Sequence, residues 1–220
     1  MQIRSKRNKL IITALDKEGM ALLIGGEYER VCALCAAAYD EKSRELLDEL
    51  VNERLPTDVV EEGGVLWNTL WIGVNSETGR FIGAVRMLGK PNEKRELHIA
   101  LHPVEKHCGD PLFARVFERV CEWILNHRAV YYLLVEPIDE PQISFLRRYQ
   151  FVQSPVDGVY VREKNRPAWI LIGLCLGLAT GVLIADAFGG MSLGMAVGAL
   201  FGLVIGWLLD SVDIMGRRTK

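Results

Sequence analysis

The chain has 220 residues, a formal net charge of -2 and a hydrophobic fraction of 50%. That balance excludes nucleic acid as the principal partner, because such binders present a basic face that neutralises many phosphates. Five cysteines, one of them in a strongly apolar tail, make no disulfide framework and fit a reducing compartment.

Residues 1–26 read as an N-terminal extension or first strand. Arg4, Lys6, Arg7 and Lys9 precede a short apolar run that Asp16-Lys17-Glu18 interrupts, too early for a secretion signal. The runs LIITAL and MALLI predict a hairpin or an early strand with an extension. Apolar spacing predicts a helix over residues 27–39 through Val31, Leu34, Cys35 and Ala38, and a second over residues 41–54, ended by Pro56. Residues 65–74 and 81–88 read as strands joined by the turn Asn75-Ser76-Glu77-Thr78-Gly79.

Residues 96–102 alternate. Leu97, Ile99 and Leu101 face one way, and Glu96, His98, Ala100 and His102 the other. A helix over residues 112–127, a strand over 130–135, a helix over 143–149 and a closing segment over 151–162 complete the pattern. The fold class expected is α+β, a mixed sheet flanked by helices over residues 27–163.

The tail differs in kind. Residues 168–185 and 187–209 carry no charge, and each is about the length that crosses a ~30 Å hydrocarbon layer. Gly173, Gly177 and Gly181 recur at every fourth position, as do Gly190, Gly194, Gly198, Gly202 and Gly206. Such stripes let backbones approach closely in lipid. A two-helix transmembrane hairpin is therefore expected over residues 167–210, with a basic tail over 211–220. Basic residues flank both outer ends (Arg162, Lys164 and Arg166; Arg217, Arg218 and Lys220), and the intervening turn has no Lys or Arg. The expectation is a multi-pass protein with both termini and the N-terminal domain in the cytoplasm. The lipid bilayer is then a partner, and the glycine stripes offer a surface for a homo-oligomer.

Between the strand at residues 96–102 and the next helix lies Pro103-Val104-Glu105-Lys106-His107-Cys108-Gly109-Asp110-Pro111. Its backbone N–H groups and the helix start could form an anion site, which Gly109 opens and Lys106 reinforces. Pro111 removes one N–H, and Asp110 could cap the helix in place of a phosphate.

Pro103, Lys106, Gly109 and Pro111 occupy the spacing of the GNAT N-acetyltransferase signature, which has proline, Gln or Arg, Gly, and Gly or Ala at those positions. Residues 139–151, DEPQISFLRRYQF, resemble a second GNAT motif, with Asp139, Ile143, Phe145 and Phe151 in place. In that motif Leu146 stands where the family often has an acid tyrosine, and Gln150 replaces a glycine. The resemblance covers residues 27–162 and implies a GNAT-like acyl-CoA-binding domain in which the co-substrate lies in a splay between the fourth and fifth strands.

The resemblance further implies acetyl-CoA or another acyl-CoA as co-substrate, and acyl transfer to an unidentified amine acceptor. Ile99 and Leu101 would hold the thioester arm, and Lys106, His107, Cys108, Gly109, Asp110 and Pro111 the phosphates. Glu96 is the candidate base and Tyr149 the candidate acid. The alternative is a catalytically degenerate GNAT-like module that binds acyl-CoA or a partner at the membrane. No metal is expected, since Cys32 and Cys35 lie inside a helix without a second ligand pair.

Overall fold

The computed structural model describes residues 1–5, 9–53, 55, 58–62, 65–104, 109–155, 158–164, 169–183 and 190–215. It divides into two compact units, Met1–Lys164 and Asn165–Lys220.

The first unit opens with β1 (Gln2–Ser5) and β2 (Leu10–Ala14), which pair antiparallel. The segment MALLI belongs to a helix, not to a strand: α1 (Lys17–Ile24) starts where Asp16 accepts a hydrogen bond from Gly19 N at 2.9 Å. A carboxylate there satisfies an orphan donor of the first turn and favours helix over hairpin. The helix α2 (Tyr28–Cys35) stops at Ala36, which is left-handed at φ 57°. Next, α3 (Glu41–Asn52) begins with a capping box between Asp40 and Ser43 and buries Leu46, Leu47 and Leu50.

The apolar stretch 65–74 is not one strand. It breaks at Asn68, φ 57°, whose side chain binds Asp58 and the N–H of Gly89. The halves enter different sheets: β3 (Val60–Glu62) pairs with β4 (Val65–Trp67), whereas β5 (Leu70–Asn75) joins the main sheet. From β5 the chain turns through Asn75, whose Oδ1 accepts from Glu77 N, and Gly79 at φ 69° into β6 (Phe81–Leu88). The strand β7 (Glu96–Pro103) follows, then α4 (Pro111–Asn126), β8 (Tyr132–Val135), α5 (Glu140–Arg148), β9 (Val152–Gln153) and β10 (Tyr160–Glu163).

The main sheet has eight strands in the order β1-β2-β5-β6-β7-β8-β10-β9, antiparallel except at β7–β8. Helices cover both faces. On one, Phe113, Val116, Phe117 and Val120 of α4 and Phe145 and Leu146 of α5 pack on Val85, Met87, Leu97, Ile99 and Leu101. On the other, α1, α2 and α3 pack on Leu70, Ile72, Val74 and Ala84. Alternation along each strand supplies both cores.

Two glycines set how close α4 comes. A Cβ at Gly73 would lie 2.5 Å from Val116 Cγ2, and one at Gly83 would lie 2.5 Å from Phe113 Cδ2 and 2.8 Å from the His102 carbonyl oxygen. These contacts seat the start of α4 beside the end of β7.

The second unit consists of α6 (Trp169–Leu183) and α7 (Met191–Met215), packed antiparallel. The glycine stripes meet each other within one chain. A Cβ at Gly177 would fall on the Gly198 carbonyl oxygen and 2.8 Å from Gly202 Cα, and one at Gly181 would fall against Gly194 and Gly198. The stripes therefore serve an intrachain contact. Leucines on the outer sides stay exposed, Leu171 by 63% and Leu176 by 64%.

The expectation of two equal spans changes as well. The stretch Met191–Leu208 is long and apolar enough to cross a membrane, with mean hydropathy 1.9, whereas Ile170–Leu183 is shorter. At ~1.5 Å per residue, α6 rises only about 22 Å.

Two outcomes test these contacts. Gly83→Ala should lower unfolding stability by about 1–3 kcal/mol in urea titration, because a backbone carbonyl blocks the added methyl. Gly177→Leu should lower the temperature at which the helical circular dichroism of the detergent-solubilised chain is lost, whereas Leu176→Ala on the exposed side should not.

Candidate active site

The parallel pairing of β7 with β8 lasts three residues, Glu96 with Tyr132, Leu97 with Leu133 and His98 with Leu134. Beyond it β7 continues to Pro103 while β8 ends at Val135. Among the described residues no strand covers the outer edge of β7 from Ile99 to Pro103. Alternate N–H and C=O groups along that edge face a gap, as they do at any unpaired strand edge.

At this end of β7 lies a cleft of about 330 Å³, walled by α3 (Lys42, Glu45, Glu49), by Glu53 just after it, by Leu101 to Val104, and by Ile138, Asp139 and Gln142 where β8 leads into α5. Asp139 and Gln142 are held by the cap of α5, in which Gln142 N donates to Asp139 Oδ1 at 2.9 Å.

His102 is a buried polar group of this cleft, its side chain 5% exposed. Among the described residues its Nε2 makes no hydrogen bond, and it lies 3.5 Å from Glu53 Oε2. Burial above all, and the Arg86 guanidinium next, pull the imidazole down from 6.5 to about 4, with Glu49 opposing them. The ring is thus neutral near pH 7, and its approach to Glu53 is a contact between a base and a carboxylate, not an ion pair. Arg86, on β6, answers Glu53 instead: its Nη1 lies 3.4 Å from the Glu53 carbonyl and 4.0 Å from the carboxylate.

A smaller cavity of about 110 Å³ lies between Asp40, Lys42, Arg80 and Asp110. Hydrogen bonds from Ser43 hold the Asp40 carboxyl below its usual range, and Arg80 and Lys42 add to the effect. Asp110 caps α4, accepting from Leu112 N at 2.8 Å, and Pro111 brings no N–H. The chain itself therefore uses part of the anion site that a helix start offers. A Cβ at Gly109 would meet nothing within 4 Å, so backbone there is open to approach.

The candidates from sequence fall into three groups. Ile99 and Leu101 lie on the free edge of β7, and Gly109, Asp110 and Pro111 at the start of α4. Lys106, His107 and Cys108 lie outside the described residues. Glu96 and Tyr149 lie away from the cleft. Glu96 begins β7, about 20 Å along the strand from His102 at ~3.3 Å per residue, and its carboxylate accepts from Asn92 Nδ2 at 2.7 Å. Tyr149 stacks with Phe117 and Phe145 at 5.7 and 4.9 Å, and burial raises its hydroxyl pKa.

Sequence reasoning placed His102 on the polar face of its strand but gave it no role. It passed over Glu45, Glu49, Glu53 and Arg86, although the glutamates repeat at every fourth position. Gln150 is left-handed at φ 64°, a conformation that costs a side-chain-bearing residue more than it would glycine.

No family model and no curated protein matches the chain. Among solved structures it is similar to a ribosomal-protein-S5-alanine acetyltransferase from Vibrio fischeri, at 12% identity over 76% of this chain and 100% of that one, TM-score 0.45. It is similar to a GNAT-family acetyltransferase from Bacillus anthracis at 8% identity over 76% and 100%, TM-score 0.43. A ribosomal L7/L12 alpha-N-protein acetyltransferase in complex with coenzyme A aligns at 12% identity over 74% and 98%, TM-score 0.43. Identities and scores this low carry no chemistry over to this chain.

The burial of His102 sets a pH dependence. The folded ring takes up its proton only near pH 4, and an unfolded one does so at 6.5, so the unfolded chain holds more protons between those values. Stability is full above 6.5 and falls by about 3 kcal/mol as the pH drops to the folded value. Urea unfolding of the full chain across this window should show that loss, and His102→Gln should remove it. Equal acid sensitivity in both proteins would mean that the ring titrates normally.

Proposed function

We propose that the chain is a membrane-anchored acyltransferase that moves an acyl group, acetyl or longer, from acyl-CoA to an amine. One observation carries this reading: β7 and β8 part after three residues, at the place where the GNAT resemblance expects the co-substrate. The free edge at Ile99 and Leu101 offers backbone N–H groups to a thioester carbonyl, whose oxygen gains charge as the amine adds. Lys42 and Arg80, beside the start of α4, suit phosphate groups.

The base role expected of Glu96 passes, on this reading, to His102. An amine entering the cleft adds to the acyl carbon, the C–S bond breaks, and the proton lost by nitrogen leaves through the neutral imidazole. That imidazole is a weak base, adequate once nitrogen has become acidic in the tetrahedral adduct. Glu53 and Arg86 hold the ring's surroundings. Tyr149 would act as acid only after leaving its aromatic neighbours.

The anchor is the α6–α7 pair, inserted as a hairpin with both termini cytoplasmic. Exposed leucines outside and glycine contacts inside support it, since close packing replaces hydrophobic driving force in lipid. A second reading, binding without turnover, is favoured by Asp110 and Pro111, which reduce the donors left for a phosphate.

The full chain in detergent should bind coenzyme A in calorimetry and acetylate amines from acetyl-CoA. His102→Ala should lower kcat/KM by about a hundredfold or more while leaving coenzyme A affinity intact. Absence of coenzyme A binding would overturn the reading, and binding without transfer to any amine would select the second one. In membrane vesicles of known sidedness the chain should resist carbonate extraction, with its N-terminal unit cleaved by protease from the cytoplasmic side only.

A further inference from the structure

Arg86 and His102 lie on one face of neighbouring strands. The register pairs Arg86 with Ala100 and Ala84 with His102, so the two side chains are diagonal neighbours. Both are withdrawn from water, Arg86 to 12% and His102 to 5% side-chain exposure. One carboxylate stands between them. Glu53 Oε2 is 3.5 Å from His102 Nε2 and 4.0 Å from Arg86 Nη1.

Glu53 is also the residue at which α3 stops. A helix end leaves carbonyls without intrahelical donors, and a cation there satisfies them. Arg86 does so, its Nη1 donating to the Glu53 carbonyl at 3.4 Å. The guanidinium meets Glu53 at main chain and at side chain, and it ties the end of α3 to the sheet.

These contacts bear on the state of the imidazole. A neutral ring that faces a carboxylate carries its proton on that side, here on Nε2, because the other tautomer would set two lone pairs against each other. Nδ1 is then the nitrogen left to accept a proton. A carboxylate so close also favours the charged ring, and Glu49 acts in the same sense. Burial first, and Arg86 next, oppose this and keep the ring neutral. Asp139 at the cap of α5, with Lys42 and Glu45 toward the start of α3, are the other charged groups lining the cleft.

We infer that Arg86 is a positioning residue for the transfer: by holding Glu53 over the ring it fixes the tautomer of His102 and leaves Nδ1 to take the amine proton. This rests on the acyl-transfer reading above, in which nitrogen bonds to the acyl carbon, the C–S bond breaks and coenzyme A leaves as a thiolate that takes up a proton. The proton that nitrogen loses goes to Nδ1. Arg86 acts on this step through Glu53.

Proton NMR titration of the full chain in detergent should place the His102 midpoint near 4. In Arg86→Gln the midpoint should rise by about one unit or more, because the Glu53 charge is left unopposed. Arg86→Lys, which keeps the charge, should hold it low. In the Arg86→Gln, Glu53→Gln double variant most of the rise should vanish, a cancellation that loosened packing alone would not produce. With acetyl-CoA and an amine, Arg86→Gln should lower kcat by about tenfold while KM for acetyl-CoA stays unchanged. An Arg86→Gln midpoint equal to that of the wild type, an equal rise in the double variant, or an unchanged kcat would overturn the inference and leave acyl transfer standing. The titration shifts in a chain that acylates no amine would remove the acyl-transfer reading and keep the hold of Arg86 on the ring.

Discussion

The parallel ladder between β7 and β8 runs for three residues and then stops, and the arrangement of the cleft depends on that stop. Had β8 followed β7 to Pro103, the backbone groups of Ile99 to Pro103 would be satisfied in the sheet and no edge would face a ligand. Instead β8 leaves at Val135 and climbs through Ile138 to the cap of α5. The same end of β7 carries His102, whose burial under Glu53 follows from the position of α3. The free edge thus follows from the stop of β8, while the buried imidazole and the acidic wall follow from the seat of α3.

The helix that follows β7 is tied to the same place by steric fit. Gly73 and Gly83 remove two side chains under Val116 and Phe113, so α4 settles on the sheet with its first turn beside the gap. Yet Asp110 caps that turn with its own carboxylate and Pro111 withholds an N–H. The protein gains a well-formed helix start and gives up part of an anion site. The nearby cations Lys42 and Arg80 come from other elements and partly restore the local charge.

In the second unit, packing takes over where propensity would fail. A glycine at every fourth residue weakens a helix in water by roughly 1 kcal/mol each. Here Gly173, Gly177, Gly181, Gly198 and Gly202 admit the backbone of the facing helix, so the interface is built from main chain. The remaining surface is nearly continuous leucine, valine, isoleucine and phenylalanine, an outside suited to an apolar medium.

Period and punctuation made much of this legible in the sequence. Alternation along 96–102 assigned its two faces correctly and apolar spacing located α3 and α4, because these signals are local; α5 begins at Glu140, three residues before the expected 143, because Asp139 caps it. The local signals failed where a single backbone angle decided the outcome, at Asn68, which splits one apolar run between two sheets, and at Asp16, whose cap turns MALLI into a helix. The site was less legible. Glu96 and His102 share a face and look alike in sequence, but only His102 lies at the end where two strands part. Glu45, Glu49 and Arg86 gain meaning from a strand and a helix that the chain joins far from them. Residue type and spacing by themselves determined most of the elements, the apolar tail and the glycine stripes. Which carboxylates meet which histidine, and that the stripes close on each other, were decided by the tertiary structure, because both depend on contacts between segments distant in the chain.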